Sequence, residues 1–373
     1  MKTTRRYAAG LAAVVTATAG LLAGMAGSAS ASGFPAFVGP LHHTSVIAST
    51  VPANGDVNPY GVAVVPHSTG DLVRGDVLVS NLNDKTNTQG TGTTIVQVTP
   101  GGKVSLFAQI DRNLPSCPGG VGLTTALTVL RSGWVIVGSL PTQNGTVSGP
   151  GCLIVLDQFG NVQETFTGGG INGPWDMASL DLGNKAVLFV TNVLNGTVAG
   201  NGKTVFRGTV IRLVIKIPSM GLPFIWFDTT IGSGFPQALN SAALVLGPTG
   251  AGLGPNGVLY VADNIGNRIA GIPNALFRGT SAGTGFTVSK GHAILAPLGL
   301  VIAPNGNILN VNGGNGNLDE TTPSGAQIAV RQLDSSGGPP PGAGALFGLA
   351  VKPGQDAVYY VDDATNTLNL FHR

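Results

Sequence analysis

Leu253-Gly254-Pro255-Asn256-Gly257-Val258-Leu259-Tyr260-Val261-Ala262-Asp263-Asn264-Ile265-Gly266-Asn267-Arg268-Ile269 is the stretch that decides the fold. Pro-Asn-Gly is tight-turn chemistry, because Asn and Gly accept positive φ at little cost. The turn is followed by a short apolar run, Leu259–Ala262, with a polar residue and a second turn after it. A further strand opens at Arg268. Runs this short, bounded by turn residues, read as strands.

Five other segments repeat the unit. Their apolar runs are Val77–Asn81, Val135–Ser139, Leu188–Asn192, Ile308–Asn312 and Tyr359–Asp363. Gly or Asn turns precede them, as in Arg74-Gly75-Asp76 and Pro304-Asn305-Gly306. Ahead of each turn lies another apolar strand, clearest at Tyr60–Val65, Pro174–Ala178, Leu298–Ile302 and Phe347–Val351. Third strands are expected at Thr94–Val98, Leu153–Asp157, Val210–Val214, Arg268–Ile272, Gln327–Arg331 and Leu368–Phe371. Fourth strands are expected at Val104–Ala108, Val162–Phe166 and Phe224–Asp228. The unit recurs every ~56 residues without helical periodicity, which is the signature of a β-propeller. The expected fold is all-β, a six-bladed propeller of four-stranded blades. Val46–Ser49 is left without a partner and would supply the outer strand of the last blade, hiding an open edge.

Composition agrees. Of 373 residues, 58 are Gly and only 10% are charged, while 43% are apolar. Inner strands of a blade are covered on both sides, so they need apolar residues on both faces and little charge. Disorder is excluded by the same balance.

Lys2, Arg5 and Arg6, an apolar stretch from Ala8 to Ala26, and Ala29-Ser30-Ala31 form the pattern of a secretory signal peptide over residues 1–31. Thr4-Arg5-Arg6 also permits the twin-arginine route; the general secretory route is the expectation. Residues 32–45 are read as a loose N-terminal arm and 46–373 as the propeller. Loss of the leader removes three bases and no acid, which takes the net charge from +2 to about −1. No basic patch then points to nucleic acid, and no second apolar stretch points to a membrane span. The expectation is a secreted, extracellular monomer. Cys117 and Cys152 are expected to form one disulfide closing a loop of about 35 residues.

The unit at Leu253–Ile269 resembles an NHL repeat, which ends in a Tyr-Val-Ala-Asp run followed by Asn, Arg and Ile. Pro297–Asn307 is similar to the opening half of that repeat, and Ala345–Asp362 is a further match. The resemblance implies a six-bladed propeller of the broad NHL and gluconolactonase-like group, a fold and not a reaction. Gluconolactonase-like enzymes hold a metal with a Glu on an inner strand of the first blade, plus Asn and Asp from other blades. Tyr60–Val65 carries no carboxylate here. Glu164 reads as a fourth-strand residue and Glu320 as a loop residue.

Asn81, Ser139, Asn192, Asp263, Asn312 and Asp363 end the six second strands and would form a ring on one face. Their oxygens suit a hard cation such as Ca²⁺; equally, such residues cap strand ends through bonds to backbone. Asp176 stands where other blades have Gly61, Gly299 and Gly348, and is the candidate ligand or base of the channel. The segments leaving the ring are long at 82–93, 140–151, 193–208 and 313–326, rich in Gly, Asn and Thr. Binding residues are often carried by such loops on a rigid scaffold. Two readings stay open. One is a non-catalytic propeller binding an extracellular protein, glycan or cell-wall component through the long-loop face. The other is a hydrolase or lyase with a cation at the channel mouth.

Overall fold

The computed structural model describes residues 35–143 and 145–373. The proposed leader, 1–31, lies outside them. Six four-stranded antiparallel blades follow one another along the chain. The first comprises Val57–Val64, Val77–Asn83, Thr94–Val98 and Val104–Gln109. The second comprises Leu123–Val129, Val135–Ser139, Cys152–Leu156 and Val162–Phe166. The third has two tall outer strands, Val205–Lys216 and Phe224–Asn240, outside Pro174–Asp181 and Lys185–Asn192. Its chain then folds back as Leu244–Leu246. The fourth holds Pro248–Leu253, Leu259–Asp263, Arg268–Ile272 and Phe286–Lys290. The fifth holds Pro297–Ile302, Ile308–Asn312, Asn317–Thr321 and Gln327–Gln332. The sixth is closed from both ends of the chain: His43–Ser49 pairs with Thr367–His372, outside Leu346–Val351 and Ala357–Asp362.

Blades stack through cores of aliphatic side chains. Val135, Ile154 and Leu156 of the second blade meet Ala63, Leu78 and Ile95 of the first; equivalent clusters fill the other junctions. Both faces of Val77–Asn83 are buried along the whole strand, which is why the run is not alternating. Gly257 and Gly306 take φ of +75° and +83° in the turns ahead of second strands, a region that disfavours side chains with a Cβ.

Three expectations need correction. Residues 35–45 are not loose: Phe37, Val38 and Leu41 are buried against the fifth and sixth blades, and the closing strand begins at His43. Glu320 is no loop residue. It is fully buried in the strand Asn317–Thr321, and its carboxylate accepts the N–H groups of Phe37 (2.9 Å) and Val38 (2.8 Å). Asn305 and Asn307 also donate to it, at 2.9 and 2.7 Å. That carboxylate therefore pins the arm. The segment 313–326 is accordingly a tight turn followed by the third strand of its blade, and Gln327–Gln332 is the fourth strand. The disulfide joins Cys117 to Cys152, with 5.6 Å between Cα atoms.

Candidate functional site

Six innermost strands surround a central channel, and one layer of side chains decides its shape. Register places Pro59 opposite Asn81, Leu123 opposite Ser139, Pro174 opposite Asn192, Pro248 opposite Asp263 and Pro297 opposite Asn312. In the sixth blade Leu346 lies opposite Asp362. The sixth ring position is thus Asp362, not Asp363, one residue earlier than sequence spacing suggested.

The residues next along the innermost strands are Tyr60, Thr124, Trp175, Thr249, Leu298 and Phe347. Four of them belong to one buried cluster that fills the mouth on the ring side. Tyr60 stacks on Phe347 with centroids 4.1 Å apart and tilts against Trp175 at 5.8 Å. Burial, and secondarily the charge of Asp363, pushes the Tyr60 hydroxyl well above its ordinary range. Over this plug lies a lid. The Trp175 indole Nε1–H donates to the Val245 carbonyl (2.8 Å) in the fold-back strand of the third blade. The Gln89 amide donates to Ala242 O (3.0 Å), and the Thr142 hydroxyl to Gln89 O (2.6 Å). Segments from three blades therefore close the long-loop end of the channel.

The ring does not fit a cation. The Asn192 carbonyl accepts Asn172 N–H (2.8 Å) and that of Asn312 accepts Leu295 N–H (3.2 Å). Ser139 Oγ accepts Gly122 N–H and donates to Gly120 O, both at 3.0 Å. Asp263 is saturated by Gly266 N–H (3.0 Å) and the Arg268 guanidinium (2.9 Å). Asp362 takes Thr365 N–H (3.2 Å). Of the six, Asn81 alone keeps a buried oxygen without a partner. No group of three or more His, Cys, Asp or Glu among the described residues is placed to hold a metal. These side chains cap strand ends through local hydrogen bonds.

One step below the plug the six positions are Gly61, Thr125, Asp176, Gly250, Gly299 and Gly348. A Cβ at Gly348 would meet Tyr60 O, and one at Gly299 would meet Phe347 O. Glycine lets the innermost strands approach there. Only the second and third blades carry side chains in this layer, Thr125 and Asp176. Asp176 is 7% exposed. Its Oδ1 accepts Met177 N–H (2.7 Å), and its own N–H is held by Thr191 Oγ1 (3.0 Å). Burial pushes the Asp176 carboxyl well up, opposed in part by the N–H groups of Met177 and Ala251. Ser80 and Thr191, which sequence reading passed over, tie neighbouring blades together here. Ser80 donates to Thr124 O and Thr191 to Thr249 O, both at 2.8 Å. Each stands one residue before a ring position, and that offset was the available signal.

Below the layer the channel opens. Exposure rises along the third blade from Asp176 through Ala178 to Ser179, and Val64, Leu180 and Ile302 are half-buried at the far end. The cavity measures about 430 Å³ and is walled mainly by aliphatic side chains. Asp176 is its one carboxyl, and Thr125, Thr128 and Ser179 add hydroxyl-bearing side chains to the lining, so the channel wall is mixed polar and apolar.

No protein-family model matches the chain, and no curated protein sequence does. Solved structures do. A gluconolactonase from Xanthomonas campestris superposes with a TM-score of 0.54 at 11% identity, over 88% of this chain and 89% of that one. A luciferin-regenerating enzyme gives 0.55 at 11%, over 89% and 96%. At that identity the likeness establishes the fold alone, the six-bladed β-propeller shared with such proteins.

Proposed function

We propose that the protein is an exported, non-catalytic binding propeller whose lidded face takes a neutral glycan. The observation that carries this is a cleft of about 260 Å³ in the lid, where segments of the first three blades meet. It is bordered by Gln89, Thr146, Asn240 and Ser241, with Val147 and Leu244 beside them and no charged side chain. Amides and hydroxyls next to apolar surface suit a ligand with many hydroxyl groups. The rigid plug beneath would keep the cleft preorganised. Export is supported by the leader pattern of residues 1–31 and by the disulfide, which persists in oxidising compartments.

Glycan-array binding of the mature protein tests the proposal. Thr146 and Ser241 are exposed, so Thr146→Val with Ser241→Ala should leave the melting temperature unchanged and weaken capture about tenfold, as expected for lost hydrogen bonds. Unchanged capture would overturn the cleft as the site. The cation-dependent hydrolase reading predicts instead that added Ca²⁺ raises the melting temperature; with the oxygens of Ser139, Asn192, Asp263, Asn312 and Asp362 already engaged, no rise is expected.

A further inference from the structure

We infer that a cleft at the end of the propeller opposite the lid, where the sixth, first and second blades meet, binds a phosphomonoester: a dianion on a small apolar body, gripped by Arg74, Arg131 and Lys352. It is separate from the lid cleft and does not depend on it. The connections from first to second strand all leave the blades at this end. Those of the fourth and fifth blades, Gly254–Val258 and Ala303–Asn307, carry no charge. Those of the first, second and sixth bring Arg74, Arg131 and Lys352, with His67, to one cleft of about 650 Å³. No Asp or Glu is among its described lining residues. No run of sequence announces this patch, because its cations come from three separate hairpins.

Among the described residues, the two guanidinium groups and the ammonium make no hydrogen bond or ion pair inside the protein. Arg112, Arg212, Arg268 and Arg331, by contrast, are all engaged. The backbone under the free cations is held. Arg74 N–H donates to Ser68 Oγ (2.8 Å) and Arg131 N–H to Asp181 Oδ2 (2.7 Å). The Lys352 ammonium lies 5.7 Å from the centre of the buried Tyr359 ring. The acids of the same hairpins do not neutralise the cleft. Asp76 is buried and accepts the Gln97 amide (3.1 Å), Asp356 is paired with Arg373, and Asp71 is exposed outside the lining. Cations gathered without a counter-charge repel one another, and a bound anion relieves that repulsion. A guanidinium fork matches phosphate oxygens, and three cations suit two negative charges better than one. Pro66, Pro100 and Pro353 line the rest; a bare anion would leave that apolar surface uncovered, and an organic body would bury it. The volume falls among small-molecule sites.

Calorimetry on the mature protein tests the cleft, with 1-naphthyl phosphate, 1-naphthoate, 1-naphthol and inorganic phosphate as probes, at low salt and above the second phosphate pKa of about 6. The phosphomonoester should bind most tightly, and the other three at least about tenfold more weakly. Arg131→Gln and Lys352→Met each remove one charge. Each should cost the ester about tenfold in affinity at an unchanged melting temperature. Arg207→Gln is the control: Arg207 is exposed on the third blade, and its loss changes the net charge equally without touching the cleft. Ester affinity should then stay within about twofold. Absence of ester binding, equal affinity for 1-naphthol or for inorganic phosphate, tighter binding of 1-naphthoate, or an equal loss in Arg207→Gln would each overturn the assignment. Arg74→Gln provides the same test should either cleft variant fail to fold.

Discussion

At the lidded end of the channel Tyr60, Trp175, Leu298 and Phe347 converge from four blades and are covered by the fold-back strand Leu244–Leu246. At the other end the same innermost strands finish in half-buried Val64, Leu180 and Ile302 and leave the channel accessible. The strands are equivalent; the ends are not. Closure depends on one repeat position, the residue ahead of the glycine layer, and on whether that residue is large. Its stability is therefore concentrated in a few side chains at one end and spread over many aliphatic contacts at the other.

Removing the largest of those side chains should break the contrast. Trp175 is 1% exposed. Trp175→Ala leaves a cavity in the plug and strips the Val245 carbonyl of its donor. A loss of about 4 kcal/mol is expected in urea unfolding. A loss under about 1 kcal/mol would mean that the lid does not rest on the plug.

The disulfide braces the same end. Cys152 pairs with ring residue Ser139, and Cys117 lies in the connection between the first and second blades. Replacing both with Ser should cost about 3 kcal/mol on the loop-entropy account, read as a lower urea midpoint at unchanged slope. An unchanged midpoint would show that packing alone holds that connection.

Glu320 makes the corresponding test for the closure of the ring of blades. Glu320→Gln puts an amide N–H₂ where one carboxylate oxygen received donors. About 2 kcal/mol should be lost, and the Phe37 and Val38 amides should lose their protection from hydrogen exchange ahead of the rest of the sixth blade. Retained protection would place the anchoring of the arm in the apolar contacts of Val38 and Leu41 instead.

The ease with which the fold could be read, against the difficulty of the site, follows from where the information lies. Turns such as Pro255-Asn256-Gly257 and runs such as Leu259–Ala262 are local, and six copies reinforce one another. The plug is assembled from Tyr60, Trp175, Leu298 and Phe347, which are far apart in sequence. Only lining up the residue ahead of Gly61, Asp176, Gly299 and Gly348 would have revealed it. The strand Asn317–Thr321 was missed because Asp319 and Glu320 look like loop residues; what permits them inside a blade is amide donors from Asn305, Asn307 and Asn312. The fold-back strand at Leu244 has no turn motif to announce it; its Val245 carbonyl is engaged by Trp175, about 70 residues earlier in the chain.

Asp319 gives the most specific effect, one confined to the pH dependence of stability. It is fully buried, it accepts Asn312 Nδ2–H at 2.7 Å, and its second oxygen has no partner. Burial raises its carboxyl to about 6, against the pull of Asn312. A raised acid holds its proton in the folded state to higher pH than in the unfolded chain. Stability is then greatest below the unfolded value near 4, declines as pH climbs to about 6, and is level above that. Asp176, Asp263, Asp362 and Asp363 are shifted in the same direction; Asp84 and Asp157 are shifted the other way, but a lowered acid acts mainly below its unfolded value near 4, so the raised acids set a fall in stability between pH 4 and pH 7. Asp319→Asn removes one contributor while an amide oxygen still receives Asn312. The fall in unfolding free energy between pH 4 and pH 7 should shrink by about 2 kcal/mol. An unchanged fall would mean that Asp319 titrates normally, with water reaching its free oxygen. The burial of acids would then be a property of the channel and the lidded end, and not of the blades that build them.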